Sequence, residues 1–327
     1  MRPSLGPSLA LAAVVLMVAA TASGDHAGVP HSESDSIFFD LPAFPGRDVS
    51  DAVRVDLGTR IAPAARLGSG HVTFVRPHLG VRTTWPVDDR WVLRASGQAS
   101  TSLYRFRRDP TGFPSLLGKD LDLYATRLAL EGAYRLIEVG PWFADDESWS
   151  LLGSLSGSSR WEDDGFHPGV GLSGALGVGY EISDRLRVGL GVSLRTSLEN
   201  GGIDPKPFFS LRWDLTERLT VRTHDLGLRL EYDVAPRLEV QLTGTRTSES
   251  FRLRNRSAVD DDLTFRDRHL RFSAGLEGVL ANWLRLELEV GALAERRLRV
   301  QGDDLGTLVS RRADPSLFFD VRFDVRF

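Results

Sequence analysis

A period-two alternation of apolar and polar residues recurs from residue 49 to the last residue of this chain, and it constrains the fold more than any other feature. In Arg185–Arg195 one face reads Leu186, Val188, Leu190, Val192 and Leu194. The other reads Arg185, Arg187, Gly189, Gly191, Ser193 and Arg195. Only extended backbone sends successive side chains to opposite sides, so such a run is a strand with two different faces. Trp283–Ala294 repeats the pattern, with Leu284, Leu286, Leu288 and Val290 against Arg285, Glu287 and Glu289. At the end of the chain, Leu317, Phe319, Val321, Phe323, Val325 and Phe327 share one face, while Asp320, Arg322, Asp324 and Arg326 share the other.

Turn residues cut the chain into fourteen candidate strands: 49–60, 69–85, 90–107, 120–137, 148–161, 168–182, 185–198, 207–214, 218–223, 225–233, 237–254, 265–280, 283–300 and 315–327. The first strand and the short pair at 218–233 are the weakest, so 12–14 strands are expected. The connections differ in length. Short ones fall at 86–89, 183–184, 216–217, 234–236 and 281–282. Long polar ones fall at 107–120, 161–167, 198–206, 255–264 and 301–314. Many of the candidate strands far exceed the 5–6 residues usual in soluble sheets, and their polar faces are densely charged. A soluble sandwich has no use for either property. A transmembrane antiparallel up-and-down β-barrel, with short periplasmic turns and longer extracellular loops, accommodates both. Trp85, Trp91, Tyr134, Trp149, Tyr180, Trp213, Tyr232 and Trp283 near strand ends fit an interfacial girdle.

The N-terminus predicts export. Arg2 precedes the apolar run Leu9–Ala20, and Ala20-Thr21-Ala22 gives a small-x-small cleavage pattern. This is the layout of a signal peptide over residues 1–22. The run is shorter than the roughly 20 residues that a spanning helix needs. Residues 23–48 form an N-terminal lead-in, and the barrel occupies 49–327. The expected location is the bacterial outer membrane, with its lipids and lipopolysaccharide as partners. The chain has no cysteine, which excludes disulfides and thiolate metal sites. Basic and acidic residues are interspersed around a net charge of -4, which argues against a nucleic-acid partner.

Two resemblances add to this. The alternating, aromatic-terminated strand with Val321, Phe323, Val325 and Phe327 resembles the C-terminal signal of outer-membrane proteins, which implies engagement by the barrel-assembly machinery. The run Pro207–Asp214, Glu217-Arg218-Leu219, Leu226–Tyr232 and Pro236-Arg237-Leu238 is similar to a group of uncharacterised outer-membrane barrels, the DUF6268 type. It spans about 30 residues clearly. That resemblance implies a barrel and carries over no catalytic residue.

No constellation predicts chemistry. No histidine pair has the helical metal spacing or an HExxH setting, and His71 and His78 differ in parity along their strand. His269 shares the charged face with Ser273 and Glu277. The serines at 154–159 lack a nucleophile-elbow pattern, and Gly171, Gly174, Gly177 and Gly179 lack the lysine and helix of a phosphate loop. Asp163-Asp164, Asp260–Asp262 and Asp303-Asp304 read as solvated loop charge. No enzyme, cofactor or resident metal is expected. The feature with functional reach is the charged face of the late strands: Arg229, Glu231, Glu239, Arg271, Glu277, Arg285, Glu287, Glu289, Asp320, Arg322, Asp324 and Arg326. Such a face either plugs a barrel with ion pairs or lines a narrow aqueous pore. The leading expectation is a narrow channel for small polar or charged solutes. A lipid-modifying enzyme and an adhesion barrel acting through its loops are the alternatives.

Overall fold

The computed structural model describes residues 53–88, 90–107, 120–136, 148–162, 169–196, 202–224, 226–253, 263–302 and 306–327. The signal peptide, the lead-in and the three acidic loop clusters lie outside these residues. The strands are β1 (Arg54–Leu67), β2 (Gly70–Pro86), β3 (Trp91–Arg107), β4 (Asp120–Leu136), β5 (Ser148–Glu162), β6 (Gly169–Ser183), β7 (Leu186–Thr196) and β8 (Ile203–Asp214). They continue with β9 (Leu219–His224), β10 (Gly227–Ala235), β11 (Leu238–Arg252), β12 (Leu263–Ala281), β13 (Leu284–Gly302), β14 (Gly306–Arg312) and β15 (Ser316–Arg326). Among the described residues no helix is long and apolar enough to cross a membrane.

From β1 to β14 each strand pairs antiparallel with its neighbours in sequence, and β15 pairs with β13 and β1 to close the ring. β1 pairs with β15 through Val55↔Val325, Leu57↔Phe323 and Ile61↔Phe319. β14 and β15 share one place in the wall, both beside β13. β14 pairs with 297–302 and β15 with 284–293. The result is a closed fourteen-strand antiparallel barrel. Closure satisfies the backbone groups that an open edge would leave bare, which is the condition for strands to stand in lipid.

β14 and β15 are separated at Ala313–Pro315. Ala313 donates its N–H to Arg296 and Asp314 donates to Arg66, at 2.8 and 2.9 Å. Pro315 has no N–H to offer. Opposite this break β13 carries an extra residue, and Glu295 there has φ 49, in the left-handed region. The insertion is a β-bulge, and it reverses the facing of every later residue of β13.

The two faces of the wall separate cleanly. Leu128, Leu176 and Leu190 stand 72%, 74% and 63% exposed on the outside. Aromatic rings collect at the short-turn end, where Trp91 meets Tyr134 and Trp149 meets Tyr180, both at 4.6 Å. Phe74, Tyr104, Phe106, Leu123, Phe251, Phe265, Leu298 and Phe318 form an apolar cluster inside the barrel at the long-loop end.

The strand boundaries correct the sequence reading in three places. The first strand is 54–67, later than expected. Ile203–Lys206, read as part of a long polar loop, belongs to β8. Gly306–Arg312, also read as loop, is β14. The short strands at 219–235, weakest in the sequence, are present.

Candidate functional site

Alternation in a closed barrel leaves one face of each strand looking inward. Contacts between strands that are not wall neighbours identify that face. Tyr104 on β3 donates to Asp267 on β12 at 2.8 Å. Arg76 on β2 pairs with Glu249 on β11. Arg296 on β13 pairs with Asp267 on the adjacent β12 at 2.6 Å and reaches across to lie over the rings of Phe74 and Tyr104, at 5.4 and 5.7 Å. Such contacts cross the interior.

On the same face the late strands carry several groups of ion pairs. Asp320 accepts from Arg60 at 3.0 Å and from Arg322 at 3.1 Å, and Arg271 lies 3.8 Å away. Arg271 also pairs with Glu289. Arg322 reaches Glu287 at 3.4 Å and Glu289 at 3.7 Å. Arg285 donates to Glu277 at 2.8 Å, and Arg222 donates to Glu231 at 2.8 Å. Arg229 lies 4.0 Å from Glu231. Glu239 stands opposite Glu277 in the β11–β12 ladder. Asp324 is opposite Arg285 and Asp56, and Arg326 is opposite Arg54.

Hydration of these ion pairs changes along the barrel axis. At the long-loop end the side chains of Arg296 and Asp267 are 1% and 2% exposed. Near the short turns those of Arg285 and Glu277 are 37% and 26% exposed. Charges removed from water need close partners, because each isolated buried ion costs several kcal/mol. The long-loop end meets that need with short pairs and stacked rings. The short-turn end leaves its charges partly wet.

Sequence reasoning missed Arg76, Tyr104, Asp267 and Arg296, while Glu249 was legible on the charged face by its parity with Glu239. Arg296 was hidden by the bulge: counted from Leu284 it falls on the lipid face, and Glu295 turns it inward. Asp267 had a legible signal, since it shares the parity of His269.

His269 sits in the same dry cluster, with Nδ1 3.2 Å from Asp267. His78 is on the inner face of β2, in register with Gly58 and Ser100, and His71 is on the other face. The serines of β5 and β6 meet at Ser156 and Ser173, whose hydroxyls are 2.7 Å apart. Among the described residues no group of three or more metal-ligating side chains forms.

No family model matches this chain, and no curated protein does. Among solved structures, the toluene transporter TodX of Pseudomonas putida is similar at 14% identity, over 85% of this chain and 90% of that one, with a TM-score of 0.41. An outer-membrane channel from Pseudomonas putida F1 is similar at 14% identity, over 88% and 99%, with a TM-score of 0.43. The KdgM porin, solved with disordered oligogalacturonate, gives 7% identity over 84% and 99%, with a TM-score of 0.34. Likenesses this distant carry no activity across, and the barrel itself rests on the strand pairing described above.

Proposed function

We propose that the protein is a bacterial outer-membrane channel for small polar or charged solutes, with the Arg/Glu network as its selectivity element. The observation that carries this is the hydration gradient. Partly wet charges at the short-turn end, Arg285, Glu277, Arg322 and Glu287, mark a vestibule with water in it. A barrel that served only as a scaffold would gain more from an apolar filling there, since burying paired charges seldom stabilises. The vestibule narrows toward the dry cluster, so the resting protein is not a wide, freely open porin.

In this reading the N-terminal segment directs export, the strand ending at Phe327 is engaged by the assembly machinery, and the outer wall meets lipid and lipopolysaccharide. The likeness of 207–238 to the DUF6268 group agrees with a barrel and adds nothing about the solute. Purified full chain in planar lipid bilayers is expected to give discrete conductance steps. A membrane that stays silent with folded protein present would contradict the proposal.

A further inference from the structure

The outer face of the β11–β12 hairpin changes character along its length. Low on the hairpin, Leu242 and Phe272 are 51% and 53% exposed, as befits a wall in lipid. Higher on the same face stand Ser248, Ser250, Thr264 and Arg266, and they are 0%, 4%, 1% and 5% exposed. Polar residues on a lipid-facing wall are costly, and on a rim in water they would be exposed. Polar and buried together mean that the tip has turned inward, with β12 still laddered to β13 as far as Leu263↔Gly302.

The wall beside it is built to allow this. β10 pairs with β11 only as far as Gly227↔Thr245. β9 has six residues, whereas a strand needs roughly 9–11 to cross the hydrocarbon. Among the described residues, therefore, no strand ladder lies between the edges of β8 and β11 above His224. The β8 edge is also protected. Leu211 donates its N–H to Thr223 on the β9 side, so odd-numbered residues of β8 point their nitrogens that way. Pro205 and Pro207 are odd-numbered and have no N–H, so they lose no ladder bond and discourage pairing there.

The tip instead crosses to the far wall. Arg252 of β11 meets Trp161 of β5 in a parallel bridge, the one parallel pairing among the described strands. Its inner side packs on the apolar cluster, with Phe265 edge-on to Tyr104 at 5.1 Å.

We propose that the distal strand segments of this hairpin, 246–253 and 263–268, are a gate that closes the interior at the long-loop end, latched to the far wall by Glu249 on Arg76 and by Asp267 on Tyr104. This rests on the channel reading. A permanent plug has no need of buried ion pairs, since apolar residues of the same volume serve as well or better. Ionic latches have a second stable state, in which each partner is hydrated by the vestibule. An element laddered to β13 on one side, and on the other paired with β10 only as far as Gly227↔Thr245, can swing as a flap below the global unfolding free energy.

The test compares full-length protein in planar bilayers with three variants. The first is Glu249→Gln. The second replaces Ser248–Arg268 with an Asn-Gly turn between the register partners Thr247 and His269. The third is the cysteine pair W161C/R252C, which is clean because the chain has no cysteine. Heat-modifiable migration on a gel selects folded protein for each measurement. The expected result is a several-fold rise in open time for Glu249→Gln and a several-fold rise in conductance for the shortened hairpin. The oxidised cysteine pair should be closed and should recover on reduction. A conducting wild type with all three variants unchanged overturns the gate alone. Silence of every folded form, including the shortened hairpin, overturns the channel reading and the gate with it.

Discussion

Tyr104 and Asp267 are joined by a 2.8 Å hydrogen bond although β3 and β12 are not neighbours in the wall. The phenol and the carboxylate meet across the barrel interior, and Arg296 completes the contact from β13. Removing the hydroxyl with Tyr104→Phe should cost about 1.5–3 kcal/mol, the worth of one hydrogen bond to a charged group. Asp267→Asn should cost more, about 3–5 kcal/mol, because it leaves the Arg296 guanidinium buried without its counter-ion. Urea unfolding of the reconstituted barrel measures both. Equal losses would show that Arg296 does not depend on Asp267.

The outer wall makes a second prediction. Leu176 is 74% exposed on β6, and Arg in its place should cost about 2–4 kcal/mol if the site lies near the bilayer midplane. The same change at Ser193, which faces inward on β7, should cost less. The comparison is made in lipid vesicles, where the two faces meet different solvents. Equal costs would argue against lipid on the outside.

Charge at the short-turn end should set ion preference. Glu277 and Glu287 border the vestibule beside Arg285 and Arg322. Neutralising both carboxylates, Glu277→Gln with Glu287→Gln, leaves those cations in excess. The reversal potential under a salt gradient should then move toward anion selectivity. The shift should shrink as ionic strength rises, because the screening length falls.

The terminal strand separates assembly from stability. Phe327 donates its N–H to Val53 at 2.9 Å, a single backbone bond worth about 0.5–1.5 kcal/mol. Deleting Phe327 should therefore change the unfolding of purified barrel little. In cells it should lower the folded, heat-modifiable fraction several-fold if the residue is read by the assembly machinery. Loss of both in proportion would assign Phe327 a structural role alone.

Much of the barrel was legible in the sequence because lipid enforces alternation. Leu186, Val188, Leu190, Val192 and Leu194 share the outer face of β7, as Leu317, Phe319, Val321 and Phe323 share that of β15, and no polar residue interrupts either row. Where lipid is absent the signal fades. Gly306–Arg312 pairs only with the far end of β13, next to a long loop, and its pattern is irregular enough to pass for loop. Ile203–Lys206 is polar and carries Pro205, so it passes for loop although it is the first part of β8. The dry cluster was the least legible part. Its residues come from β2, β3, β11, β12 and β13, and a bulge at Glu295 reverses the parity that would have placed Arg296. Periodicity reports the face of a strand, and it is silent about which faces meet across a closed ring.

The most direct measurement is thiol accessibility from each side of the membrane, in a chain that has no cysteine of its own. Glu277→Cys probes the vestibule and Thr247→Cys probes the hairpin inside the closed end. In oriented vesicles a membrane-impermeant thiol reagent should label position 277 from the short-turn side alone and should leave position 247 untouched from both sides. Labelling of position 277 with equal speed from the two sides would mean an interior open from end to end, and would contradict a vestibule closed by the hairpin.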